Sequence, residues 1–248
     1  MFGYIRFYDT NKYDVNWTFK TLKQNRENIK KEIAEHILKI IPDLEGSEIF
    51  RYDKNKKQLT HLLLSYNVFL EKAERFDFFQ YDHGNWTLEH LSPQNPKEEI
   101  KIPSNLNSYI LDELQKKNEI TEDIKDDIKK KIKNNEAIAI DNLPFLYDPN
   151  IDEHLMGNMA LLCNGDNSAV SNNPFIIKRN IIIARRNEGS FVPYHTIALY
   201  EKSLNMSGEV SFTPDLFRWS KEDIVAHEQW MRQRNKTIRL ELQKILQP

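Results

Sequence analysis

Two short stretches carry the residues able to do chemistry. In the first, Trp86-Thr-Leu-Glu-His-Leu-Ser-Pro-Gln-Asn-Pro96, a carboxylate and an imidazole stand side by side, Glu89 and His90, just ahead of Pro93. A neutral imidazole, with an unperturbed pKa of about 6.5, can take a proton from water near neutral pH. In the second, Gly157 to Lys178, an apolar run ends in a dense set of short polar side chains: Asn158, Asn164, Asp166, Asn167, Asn172 and Asn173. Magnesium takes only one or two protein oxygens and keeps waters and phosphate oxygens around it, so one carboxylate and one amide suffice. Glu89 and Asn167 meet that need. A proton acceptor beside such an ion suits hydrolysis of a phosphodiester, where water attacks and a hard cation offsets the charge that builds on the phosphate.

Spacing alone sets a condition on this reading. Adjacent residues on a strand point to opposite faces, so Glu89 and His90 can serve one metal only if an irregular turn before Pro93 brings them together. The plainer alternatives are a surface Glu-His pair and an Asn-rich turn, which Gly165 and Pro174 would also suit.

The elements that must position these residues follow from periodicity. Residues 1–82 read as mostly helical: Leu22, Ile29, Ile33, Ile37, Ile40 and Ile41 recur at helical spacing and stop at Pro42. Leu59 to Leu70 is apolar nearly all round and is expected in a core. Asp82-His-Gly-Asn85 reads as a turn leading into a short strand, Trp86 to Leu91, so the first stretch is expected to enter through a hairpin. From about Lys97 to Asp141 the composition turns charged and Lys-rich, with helices expected over 106–117 and 121–134, the second capped by Thr121. Lys129, Lys130, Lys131 and Lys133 crowd its last turn, either as a solvated face or as a contact to nucleic acid. A final helix is expected from Ser220, its cap, to about Leu246.

Composition excludes several classes. The chain of 248 residues, 40% hydrophobic, can bury a large core. It has no apolar run of the ~18–20 residues a membrane span needs and no signal-peptide pattern, which points to a cytoplasmic protein away from membranes. One cysteine, Cys163, excludes an internal disulfide and argues against a zinc knuckle. A net charge of −2 argues against bulk coating of nucleic acid but leaves room for a local basic groove.

Taken as a pair, the segments resemble the HNH, or His-Me finger, endonuclease motif: Glu89-His90-Leu-Ser-Pro93, then Asn158-Met-Ala-Leu-Leu-Cys163, Asn167 and Lys178. Glu-His-Leu-Ser-Pro-Gln, Gly-Asn-Met-Ala-Leu-Leu and Asn-Ser-Ala-Val-Ser-Asn-Asn-Pro-Phe-Ile-Ile-Lys-Arg are similar, more closely, to the carboxy-terminal nuclease domain of the GmrSD family of type IV restriction enzymes. The resemblance runs from roughly Leu59 to the end.

It implies an α+β fold, mostly α-helical, with a ββα-metal core embedded in helices. Residues 1–82 would be a helical scaffold region and 83–248 the nuclease domain, with the charged helices at about 97–141 as an insertion. It further implies His90 as general base, Glu89 and Asn167 as ligands of Mg²⁺ or Mn²⁺, and Asn158 bracing the loop that aims His90. Lys178 and Arg179 would hold phosphate, with Asn172 in support. The substrate would be DNA, in bacterial restriction of foreign or modified DNA. The family pairs this domain with a nucleotide-hydrolysing one, and no P-loop occurs here. The chain is therefore expected to be a fragment of a longer protein or one half of a multi-chain system. Two departures stand out. The interval from Pro96 to Gly157 is long, and His227 stands where the family tends to carry Arg. Glu89 in place of the commoner Asp leaves an alternative, a catalytically silent nucleic-acid-binding or partner-docking module.

Overall fold

A computed structural model describes residues 20–46, 50–69, 77, 86–204 and 211–247. Among these residues the chain is mostly helical with two small antiparallel sheets. In order, the main elements are α1 (Arg26–Ile40), α2 (Tyr52–Phe69), β1 (Trp86–His90), β2 (Glu99–Ile100), α3 (Asn107–Lys116), α4 (Glu122–Lys133), β3 (Ile138–Ala139), β4 (Met159–Cys163), α5 (Asn164–Val170), α6 (Phe175–Asn187), α7 (Tyr194–Tyr200) and α8 (Lys221–Leu246). The expected turn at 82–85 and the aromatic run before it lie outside the described residues, Asp77 excepted.

β1 pairs with β4 in continuous antiparallel register, Trp86 opposite Cys163 through His90 opposite Met159. Side chains alternate across such a ribbon, and here both faces are covered. Leu88, Met159 and Leu161 face a core built from α1, α2 and α8, with Ile37, Leu63 and Met231. Ala160 and Leu162 face a second core with Leu91, Val170 of α5, Phe175 and Ile182 of α6, Leu199 of α7, and Trp219. This double burial explains why Met159 to Leu162 is an unbroken apolar run rather than an alternating one. The amino-terminal helices thus share a core with the strands of the candidate site.

The charged segment folds on its own small core. β2 pairs with β3, and Ile110 and Leu114 of α3 pack with Ile128 and Ile132 of α4 and, beyond the segment, Ile176 and Ile177 of α6. Thr121 holds the cap position of α4 in extended backbone, but its side chain makes no capping hydrogen bond. The lysines of α4 settle as a solvated face: Lys129 pairs with Asp126 at 2.8 Å and Lys131 with Asp127 at 3.0 Å. α1 is capped by Asn25, whose side chain accepts from the Asn28 N–H. α8 begins with a capping box in which Ser220 and Asp223 bond reciprocally.

α8 presses on the turn that precedes β4. A Cβ added to Gly157 would lie 2.0 Å from the backbone oxygen of Ile224, where neither partner can swing away. Gly157→Ala is expected to destabilise the fold by about 3 kcal/mol through this overpacking. A urea-unfolding midpoint equal to that of the parent protein would refute the close approach.

Candidate active site

β1 runs as regular strand through His90, and the alternation holds to its end. The irregular turn expected to bring Glu89 and His90 together is not present. Ladder pairing with Ala160 and Met159 keeps both residues extended, and the chain leaves the sheet only at Leu91. Glu89, opposite Ala160, therefore lies on the face covered by α5 and α6, whereas His90 lies on the face of α2.

On the first face, Glu89 forms a buried ion pair with Lys178 of α6. The Lys178 ammonium also donates to the His90 carbonyl at 2.6 Å, and its side chain is wholly buried. Burial raises the Glu89 carboxyl above the ordinary carboxylate range although Lys178 opposes the shift. Burial likewise lowers the Lys178 ammonium against the pull of Glu89. Both directions have one cause: removing the two charges from water outweighs their attraction. Nearby, Asp166 of α5 is buried and paired with Arg185 at 3.1 Å. The buried Tyr200 hydroxyl has no hydrogen-bond partner among the described residues and is pushed well up by burial and then by the negative charge of Glu89 and Asp166.

On the second face, the His90 ring meets the Tyr52 ring edge-on at 4.7 Å and the His154 ring at 5.9 Å. His90 is 8% exposed, and its Nε2 is buried without a hydrogen-bond partner among the described residues. Burial first, then the charge of Lys178 and the nearness of His154 and Lys56, lowers its pKa to about 4. The imidazole is therefore neutral around pH 7, the state a proton acceptor requires, although a weaker base than a free one.

The loop after His90 is held by Asn158. Its Oδ1 accepts from Ser92 N–H at 2.7 Å, its Nδ2 donates to the carbonyls of Ser92 and Glu153 at 2.9 Å, and its own carbonyl accepts from Leu91 N–H. A fully buried amide meeting both backbone groups of one residue fixes the strand exit. The turn is fixed from behind as well. The Gly157 carbonyl accepts from Trp219 Nε1 at 3.1 Å and from His227 Nδ1 at 2.9 Å. A carbonyl only accepts, so His227 carries its proton on Nδ1. Its Nε2 must then accept from His195 Nε2, 3.2 Å away. His227, noted in the sequence as a departure, is thus a packed, neutral residue.

The remaining expected residues are placed as follows. Asn167 sits half-exposed on α5, which follows β4 directly and packs on both strands, and its side chain has no hydrogen-bond partner among the described residues. Arg179 turns away from Lys178 and donates from Nε to the Tyr200 carbonyl at 3.0 Å. Asn172 is exposed, with its carbonyl accepting from Lys97 N–H. Sequence reading missed Tyr52, His154 and Tyr200, which reach the site from separate elements and share no spacing with either motif. Among the described residues no group of three or more His, Cys, Asp and Glu side chains is arranged to hold a metal. A site of one carboxylate and one amide falls below that size.

Two outcomes follow from these environments. Lys178→Met leaves Glu89 buried and unpaired and should cost roughly 3–5 kcal/mol. Adding Glu89→Gln should recover much of that loss in urea unfolding, and additive losses would contradict the coupling. His61, His90 and His227 are lowered to about 4 and His195 well below 6.5, chiefly by burial. Each binds fewer protons folded than unfolded between about 4 and 6.5, so its contribution is complete above 6.5 and is lost as pH falls through that window. Glu89, with a raised pKa, acts in the opposite sense. Stability should fall on acidification from pH 6.5 to 4, and His227→Gln should remove on the order of 3 kcal/mol of that fall. An unchanged slope in the variant would contradict a neutral buried His227.

In comparison with known proteins, no protein-family model matches the chain, and neither a curated protein nor a solved structure does so.

Proposed function

We propose that the chain is a metal-dependent endonuclease that hydrolyses phosphodiester bonds of DNA, acting in bacterial restriction of foreign or modified DNA. The observation that carries the reading is the clamp of Asn158 on Ser92 directly after His90, within the succession β1, β4, α5. Two antiparallel strands leading into a helix, with a histidine at the end of the first and an amide on the helix, are what a ββα-metal core calls for. His90, neutral near pH 7, would take the proton of the attacking water, and Asn158 would hold the backbone from which it acts.

The donor chemistry fits a hard divalent ion. Glu89 keeps Oε2 outside its ion pair with Lys178, and the Asn167 amide is half-exposed and unpartnered among the described residues. Glu89 and Asn167 would hold Mg²⁺, or Mn²⁺ in its place, supplying neutralisation of charge on the phosphate and the leaving oxygen. Lys178 would add positive charge behind them. A nucleotide-hydrolysing domain or subunit would complete the system. No helix among the described residues is long and apolar enough to cross a membrane.

One observation favours a second reading, a catalytically silent nucleic-acid-binding or docking module. Glu89 and His90 leave β1 on opposite faces, and the charge of Glu89 is already met by Lys178.

Supercoiled plasmid incubated with the purified chain and Mg²⁺ or Mn²⁺ separates the two. The nuclease reading predicts nicking that falls by about 10²–10⁴-fold in His90→Ala. No cleavage with either metal would support the silent module, and equal cleavage by both proteins would overturn the catalytic assignment of His90.

A further inference from the structure

A groove of about 790 Å³ lies between α3, α6 and residues 214–217, apart from the environment of His90. Tyr109 stands at it with 62% of its surface exposed, and Leu216 with 37%. Phe217 lines it too, fixed edge-on against Phe145 at 5.7 Å. An exposed tyrosine and leucine beside an ordered aromatic offer flat apolar surface to a planar ligand.

The charges of the groove sort unevenly. Glu113 is neutralised by Lys117 at 2.7 Å and Lys116 at 3.2 Å, and Asp215 by Arg218 at 3.2 Å. Arg179, the one cation among the described residues that line the groove, has no acidic partner among them. Its Nε is spent on the Tyr200 carbonyl, and its terminal Nη groups have no hydrogen-bond partner among the described residues. A guanidinium left in this state suits a phosphate. Beside it, Asn105 and Asn180 pair amide to amide at 2.5 and 3.4 Å. Each amide then retains donor and acceptor capacity for the edge of a base.

We infer that this groove binds a single unpaired nucleotide of a nucleic-acid strand, with its base on Tyr109 and its phosphate on Arg179. Aromatic stacking joined to a cation is the common means of holding single strands without reading a helix. The inference concerns binding and stands whether or not His90 cleaves.

Fluorescence anisotropy of a short labelled oligothymidylate with the full chain tests it. Tyr109→Ala should weaken binding by roughly five- to a hundredfold, and Arg179→Gln by about tenfold or more. Thymidine monophosphate should compete where inorganic phosphate at the same concentration does not. Tyr109 is largely exposed, so its truncation leaves the core intact. Absence of binding by the parent chain, affinity unchanged in both variants, or a duplex bound equally well with the same sensitivity would each overturn the inference. Loss of plasmid cleavage with oligonucleotide binding retained would count against the nuclease alone.

Discussion

The pairing of β1 with β4, buried on both faces, is the constraint on which the rest of the structure depends. Because side chains alternate along each strand, every inward position must suit one of two cores. A slip of β1 by one residue would send Leu88 into the α5 and α6 side and drive Glu89 into the apolar helices. Lys178 gives this register its polar anchor. Its ammonium reaches the Glu89 carboxylate and the His90 carbonyl together, so α6 is tied to the two residues at the end of β1. A buried pair of this kind adds little net stability over apolar packing. What it contributes is the location of a carboxylate in a site that would otherwise expel it.

A second line of support runs from α8 to the same strand end. Ile224 approaches Gly157 too closely for any side chain, while Trp219 and His227 both bond the Gly157 carbonyl. The adjacent Asn158 then clamps Ser92. Structure and chemistry meet here, since the proposed base His90 is aimed by a turn whose far side is held by the last helix. His195, beneath His227, stacks on Trp230 at 4.9 Å, so the support continues into the core.

Much of this was legible in the sequence. Apolar spacing, Pro42 and Ser220 located α1 and α8, and the two helices of the charged segment fell where Ile110, Leu114, Ile128 and Ile132 recur. Resemblance pointed to Asn158, whose side chain bonds both backbone groups of Ser92. What sequence could not carry was contact across long separations. Resemblance gave Lys178 to phosphate together with Arg179, yet its side chain is wholly buried, and a carboxylate 89 residues away makes that burial tolerable. Pro93 suggested a break early enough to unite Glu89 and His90, but the ladder with Met159 and Ala160 keeps the strand regular past both. His154 and Tyr52 reach His90 from a loop and from α2, and no local pattern announces them.

The central claim is that Glu89, on the α5 side of β1, and Asn167 of α5 together hold one divalent cation. Crystals soaked in Mn²⁺ and measured at the manganese absorption edge test it most directly. The account predicts one anomalous peak within coordination distance of oxygens from both Glu89 and Asn167. A peak elsewhere, or none while Lys178 keeps its ion pair with Glu89, would contradict it.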